Sequence, residues 1–198
     1  MTKWVKREVK IESEYGDDLK TKILKARGIP EEEQTDFLFP DEKFENSPFD
    51  IHNMDTAVNI IMDTVQGGGD IVISGDPDAD GVTALAIMFN RLKELKEDYD
   101  FGLEYIYTQR DVGHGLLGQL TIKDSWTRDL KSEDTEKALT AQKLIALTES
   151  NREKVEMADV LIVLDSSSND ILGVQKARDI SASNNFEVII LDPPIWWP

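Results

Sequence analysis

The chain has 198 residues, with 22 Lys and Arg against 39 Asp and Glu, a formal net charge of −17. That length and the 40% hydrophobic content suit one domain with an appendage, and they suffice for a buried core. The lack of Cys excludes a disulfide scaffold, a thiolate metal site and a cysteine nucleophile. The acidity argues against a broadly basic nucleic-acid coat and suits a protein that gathers divalent cations.

Residues 1–13 lack the apolar core of a signal peptide. No stretch approaches the roughly 20 apolar residues that cross a bilayer, so no membrane association and a cytoplasmic location are expected. Residues 1–45 read as an irregular, charged, extended N-terminal arm, with Trp4, Phe37, Leu38 and Phe39 as its docking side chains. Residues 46–198 read as one α/β domain.

Within that domain Met54, Ala57, Val58, Ile61, Met62 and Val65 recur at helical spacing, and Gly67-Gly68-Gly69 stops the helix. Ile71-Val72-Ile73 reads as a buried strand, followed by a loop from Gly75 to Gly81. The stripe Leu85, Met88, Phe89, Leu92 and Leu95 marks a second helix. Leu103 to Tyr107 reads as a strand. Asp124-Ser125-Trp126-Thr127 reads as a break before an amphipathic helix whose face carries Ala138, Ala141, Leu144, Ile145 and Thr148. Val160 to Leu164 is a strand, residues 169–183 a helix, and Val188 to Leu191 the last strand. Continuous Val/Ile/Leu strands separated by helices predict a parallel sheet flanked by helices on both faces.

Each of three apolar runs leads into an acid: Asp76, Asp165 and Asp192. In an open parallel sheet, ligands bind beyond the carboxyl ends of the strands. Acids gathered there repel one another unless cations lie between them, and carboxylates without thiols suit Mg²⁺ or Mn²⁺. The loop Gly75-Asp76-Pro77-Asp78-Ala79-Asp80-Gly81 is the densest case. Capping of the following helix needs only one of its three acids. An EF-hand needs Glu at the twelfth position, here Ile87, and a preceding helix rather than a strand. The favoured reading is a metal site at Asp76, Asp78 and Asp80. Gly81 permits a tight approach or a positive φ.

Two further clusters stay open on the residues alone. In Tyr107 to Leu116, Arg110 could contact a phosphate and His114 could face a scissile group, or the segment is a Gly-rich turn with a surface His. Ser166 to Asn169 could cap the next helix or hold a phosphate oxygen.

Residues 75–83 resemble the first motif of the DHH phosphoesterase superfamily, and most of all its RecJ-type single-strand exonucleases. Phe37 to Pro40, Ser47 to Phe49 and Met54 to Val58 are similar to that family's lead-in. Arg110 to Leu116 is similar to its Arg…Gly-Tyr-Gly-Leu segment, with His114 in the Tyr place. Leu161 to Asp165 resembles its second motif, and Val188 to Asp192 the approach to its third. The resemblance implies a metal-dependent phosphodiesterase acting on single-stranded nucleic acid, with two Mn²⁺ or Mg²⁺ ions. By position it implies Asp76, Asp78, Asp80, Asp165 and Asp192 as metal ligands. It implies Asp80, Asp165 and His114 in catalysis, and Arg110, His114 and Ser166 in substrate binding.

The pattern departs where the family has Asp-His-His and this chain has Asp192-Pro193-Pro194. Proline offers neither an imidazole ligand nor a proton shuttle. The family's C-terminal substrate-binding domain has no counterpart. The expectation is therefore a truncated or impaired RecJ-like lobe, or one completed in trans by a second subunit or C-terminal lobe. The alternative is a non-catalytic relative that binds nucleic acid or a replication or repair partner, with Trp196 and Trp197 as docking anchors.

Overall fold

The computed structural model describes residues 19–39, 47–106, 109–113, 115–166 and 170–191. The chain divides into two units, residues 1–52 and 53–198. In the first, α1 (Leu19–Ala26) and α2 (Glu31–Leu38) are helical where the sequence predicts irregular chain. Helix α2 starts directly after Pro30 and carries Glu31, Glu32 and Glu33 in its first turn. Acids there complement the helix dipole, so this acid triplet is a helix-start signal rather than generic charge. Phe37, Leu38 and Phe39 are exposed. Trp4 lies outside the described residues.

The second unit runs α3 (Met54–Gly67), β1 (Asp70–Gly75), α4 (Ala79–Leu95), β2 (Gly102–Ile106), α5 (Gly115–Gln119), α6 (Asp124–Asp129), α7 (Thr135–Met157), β3 (Val160–Leu164), α8 (Ile171–Ile180) and β4 (Glu187–Leu191). The strands form one parallel sheet in the order β2-β1-β3-β4. Gly68 ends α3 at a left-handed φ of 73°, which a residue without a Cβ adopts at no steric cost.

Alternation along the central strands shows why both faces are covered. Val72, Leu161 and Val163 point into a core with Leu116, Leu120, Val155 and Ala177, from the α5, α7 and α8 side. Ile71, Ile73, Ile162 and Leu164 point the other way, into a core with Val65 of α3 and Leu92 of α4. A side-chain period of two on strands whose consecutive central positions are apolar demands a cover on each side.

Residues 124–129 form α6 where the sequence predicts a break. A helix this short is not stable alone. Trp126 holds it by packing with Val112, Ala141 and Leu144 in a third, smaller core. Among the described residues, no helix is long and apolar enough to cross a membrane.

Candidate metal centre

The two central strands send the chain in opposite directions. From β1 it passes through α4 to β2 on one side, and from β3 through α8 to β4 on the other. The crevice between their carboxyl ends is the topological switch point, the place where open α/β sheets bind ligands.

The β1–α4 turn fills one side of this crevice. Asp78 is the N-cap of α4, and its Oδ1 accepts a hydrogen bond from the Gly81 amide at 3.1 Å. Capping and metal-site readings thus meet on one residue. The Gly81 amide bond, a hydrogen bond shared with Asp80, and the nearby Arg110 guanidinium hold the Asp78 carboxyl below its ordinary value of 3.8, against some desolvation. A carboxylate held low favours the folded chain above that ordinary value. The contribution is lost as acid takes the pH down through the folded-state value.

The turn is tight because two glycines face each other. A Cβ on Gly81 would lie 2.5 Å from the Asp76 carbonyl oxygen, and one on Gly75 would lie 2.7 Å from the Gly81 carbonyl oxygen. Gly81 has no left-handed φ, so close approach is what requires it. The preceding element is strand β1, which rules out the helix–loop–helix of an EF-hand.

Asp165 forms the other side, one residue past β3. Its φ is +57°, a left-handed conformation that is uncommon outside glycine and best tolerated by Asn and Asp. Its amide donates to the Leu191 carbonyl at 2.9 Å, which ties the end of β3 to the end of β4. Asp78, Asp80 and Asp165 each place a carboxylate oxygen within 4.8 Å of the others. Asp78 and Asp165 are half-buried, and Asp80 is exposed.

These donors are all oxygen and all anionic. They fit a hard divalent cation such as Mg²⁺ or Mn²⁺, and the set does not distinguish the two. Asp76 is buried directly after β1 and is not one of the three grouped carboxylates. Ser166 follows Asp165 and is half-buried. Arg110 is exposed in the loop after β2, close enough for its charge to act on Asp78. His114 and Asp192 lie outside the described residues.

Beside Asp80 and Asp165 opens a mainly apolar hollow of about 560 Å³, lined by Ile87, Met88, Leu164 and Leu191 and by the charged Arg91. The chain matches no protein-family model, no curated protein and no solved structure.

Two further residues were not singled out by the sequence. Asp170 caps α8: its Oδ1 accepts from the Gly173 amide at 2.8 Å. Its Oδ2 also accepts from the Leu117 amide of α5 at 2.9 Å, so one carboxylate joins two helices. Asp170→Ala is expected to cost about 1–3 kcal/mol in urea unfolding, because it leaves two amides without their acceptor. Asp170→Asn, which keeps an acceptor oxygen, is expected to cost less. The second residue, Gln119, is only 2% exposed although it is polar. No motif marks it; only its low exposure and its bonds reveal it.

Proposed function

We propose that this chain carries the metal-dependent phosphodiesterase site of a RecJ-like, single-strand-specific exonuclease lobe. The observation that supports it most is the grouping of Asp78, Asp80 and Asp165 at the switch point of a parallel sheet. The acids come from turns after two different strands, and they are of the residue types that the DHH resemblance implies. Asp78, Asp80 and Asp165 would hold the cation or cations. A bound cation would supply Lewis-acid charge stabilisation and a water of lowered pKa.

The remaining roles belong to the chain itself. Arg110 would bind a phosphate of the substrate strand, for which a guanidinium has the right fork of donors. The hollow beside Asp80 is mainly apolar and so suits a base or sugar ring, while Arg91, which also lines it, offers a charge to a neighbouring phosphate.

The test uses an end-labelled single-stranded oligonucleotide with Mn²⁺. Stepwise shortening is expected with the parent chain and none with Asp80→Asn, whose exposed position makes it safe for folding. A second reading has its own motivation in Pro193-Pro194, which replace the His-His pair of the resembling family. On that reading the chain binds the oligonucleotide without shortening it, or shortens it only when a complementing lobe is added. Neither binding nor cleavage under any of these conditions would dispose of both readings.

A further inference from the structure

Arg110 sits on a loop that is fastened far more firmly than an exposed turn needs. Val112 is fully buried in the core made with Trp126, Ala141 and Leu144. Gly113 adopts a φ of +121°, and Gly118 of α5 packs so closely on it that a Cβ there would lie 3.2 Å from the Gly113 backbone. Lys123 Nζ donates to the Asp111 carbonyl at 3.1 Å. Gln119 Nε2 donates to the Gly113 carbonyl at 2.7 Å.

The Gln119 bond differs in kind from the Lys123 bond. Lys123 is exposed, whereas the Gln119 side chain is sealed from water. A carbonyl can only accept, so the amide nitrogen must be the atom that faces Gly113. Among the described residues, Gln119 Oε1 is buried and has no hydrogen-bond partner. The residue is tied from behind as well, since buried Asn151 of α7 donates to its main-chain carbonyl at 3.4 Å. A half-satisfied buried amide is costly where a Leu or Met would pack well. Among the described residues, the one bond of this side-chain amide is to the loop that carries Arg110.

We propose that Gln119 is the positioning residue of Arg110. Its buried amide holds the Gly113 carbonyl, and so fixes the loop from which the guanidinium reaches a substrate phosphate beside the acidic cluster. Gln119 itself touches no substrate. The phosphate part of this rests on the function proposed above; the fixing of the loop does not.

The absence of cysteine allows a direct test. Asp111→Cys, at an exposed position whose side chain makes no bond among the described residues, gives a single attachment point for a nitroxide. In that background, Gln119→Met is expected to raise the mobile fraction of the spectrum about two- to tenfold, the equivalent of one net hydrogen bond. Gln119→Asn, whose amide falls one methylene short, serves if the Met variant does not fold. An unchanged spectrum in a folded variant overturns the proposal.

Affinity for a labelled single-stranded oligonucleotide, measured without the nitroxide, gives the second reading. Gln119→Met is expected to weaken binding, though less than Arg110→Ala does, and the double variant to bind no more weakly than Arg110→Ala alone. Independent, multiplying losses overturn the positioning role. A parent chain that binds no oligonucleotide overturns the proposed function instead. The nitroxide spectrum then still decides whether Gln119 holds the loop.

Discussion

On the function proposed above, Mn²⁺ stabilises the folded chain, and Asp165→Asn is expected to remove about half of that stabilisation or more. At a concentration about 100 times its Kd, a cation binding only the folded state adds about 2.7 kcal/mol. For a chain of this size that raises Tm by about 5–10 °C. Losing a direct ligand should cost at least the roughly 10–100-fold in affinity that supporting partners of a metal site typically cost. At the same Mn²⁺ concentration the added stability then falls to about half for a tenfold loss, and to a small fraction for a hundredfold loss.

Asn is the right replacement because it keeps the shape and tolerates the φ of +57° at this position. Thermal melts of both chains, with and without Mn²⁺, make the comparison. Equal Mn²⁺ shifts in the two would remove Asp165 from the site.

Gly81→Val is expected to damage fold and site together. The atoms that an added Cβ would meet are the Asp76 carbonyl oxygen, nitrogen and carbon, at 2.5, 2.7 and 2.9 Å. All are main-chain atoms and cannot swing aside as a side chain could. Overpacking of this kind costs about 1–3 kcal/mol, and more where nothing yields. Any shift that makes room also moves the Gly81 amide away from Asp78, and with it the cap of α4. Cation affinity should therefore fall with stability. Gly67→Ala is the control, because a Cβ at that helical position meets nothing within 4 Å. It should gain about 0.4–1 kcal/mol. Urea unfolding of the two variants decides the matter. A Gly81→Val chain as stable as the parent would show that the turn does not need its close approach.

The strands were the most readable part of the sequence. β1, β3 and β4 are apolar runs, and the parallel sheet with two covered faces follows from that pattern. The placement of acids beyond the strand ends was readable for the same reason, since Asp78 and Asp165 follow the ends of such runs. What the pattern could not show was which acids come together. Asp76 is as acidic as Asp78, but it follows β1 directly and is buried there, outside the three-carboxylate group.

Helix α7 shows another limit. Its buried line continues past Thr148 through Asn151 to Val155. Asn151 looks like a surface residue until its partner, the Gln119 carbonyl, is placed against it. That partner is 32 residues away, beyond the reach of any local pattern. Trp126 likewise makes α6 a helix through a core shared with distant residues.

The order of the strands has a consequence in time. The central pair, β1 and β3, joins stretches far apart in the chain; the Asp70 amide bonds to the Asp159 carboxylate across 89 residues. Loop closure of that length is unfavourable until the pairing is complete, which slows the search for the native topology. Asp78 and Asp165 lie just beyond the far end of this pairing, so their carboxylates first meet once the two strands have zipped together. Anything bound across those two turns acts as a latch, lengthening the lifetime of the folded chain without hastening its formation.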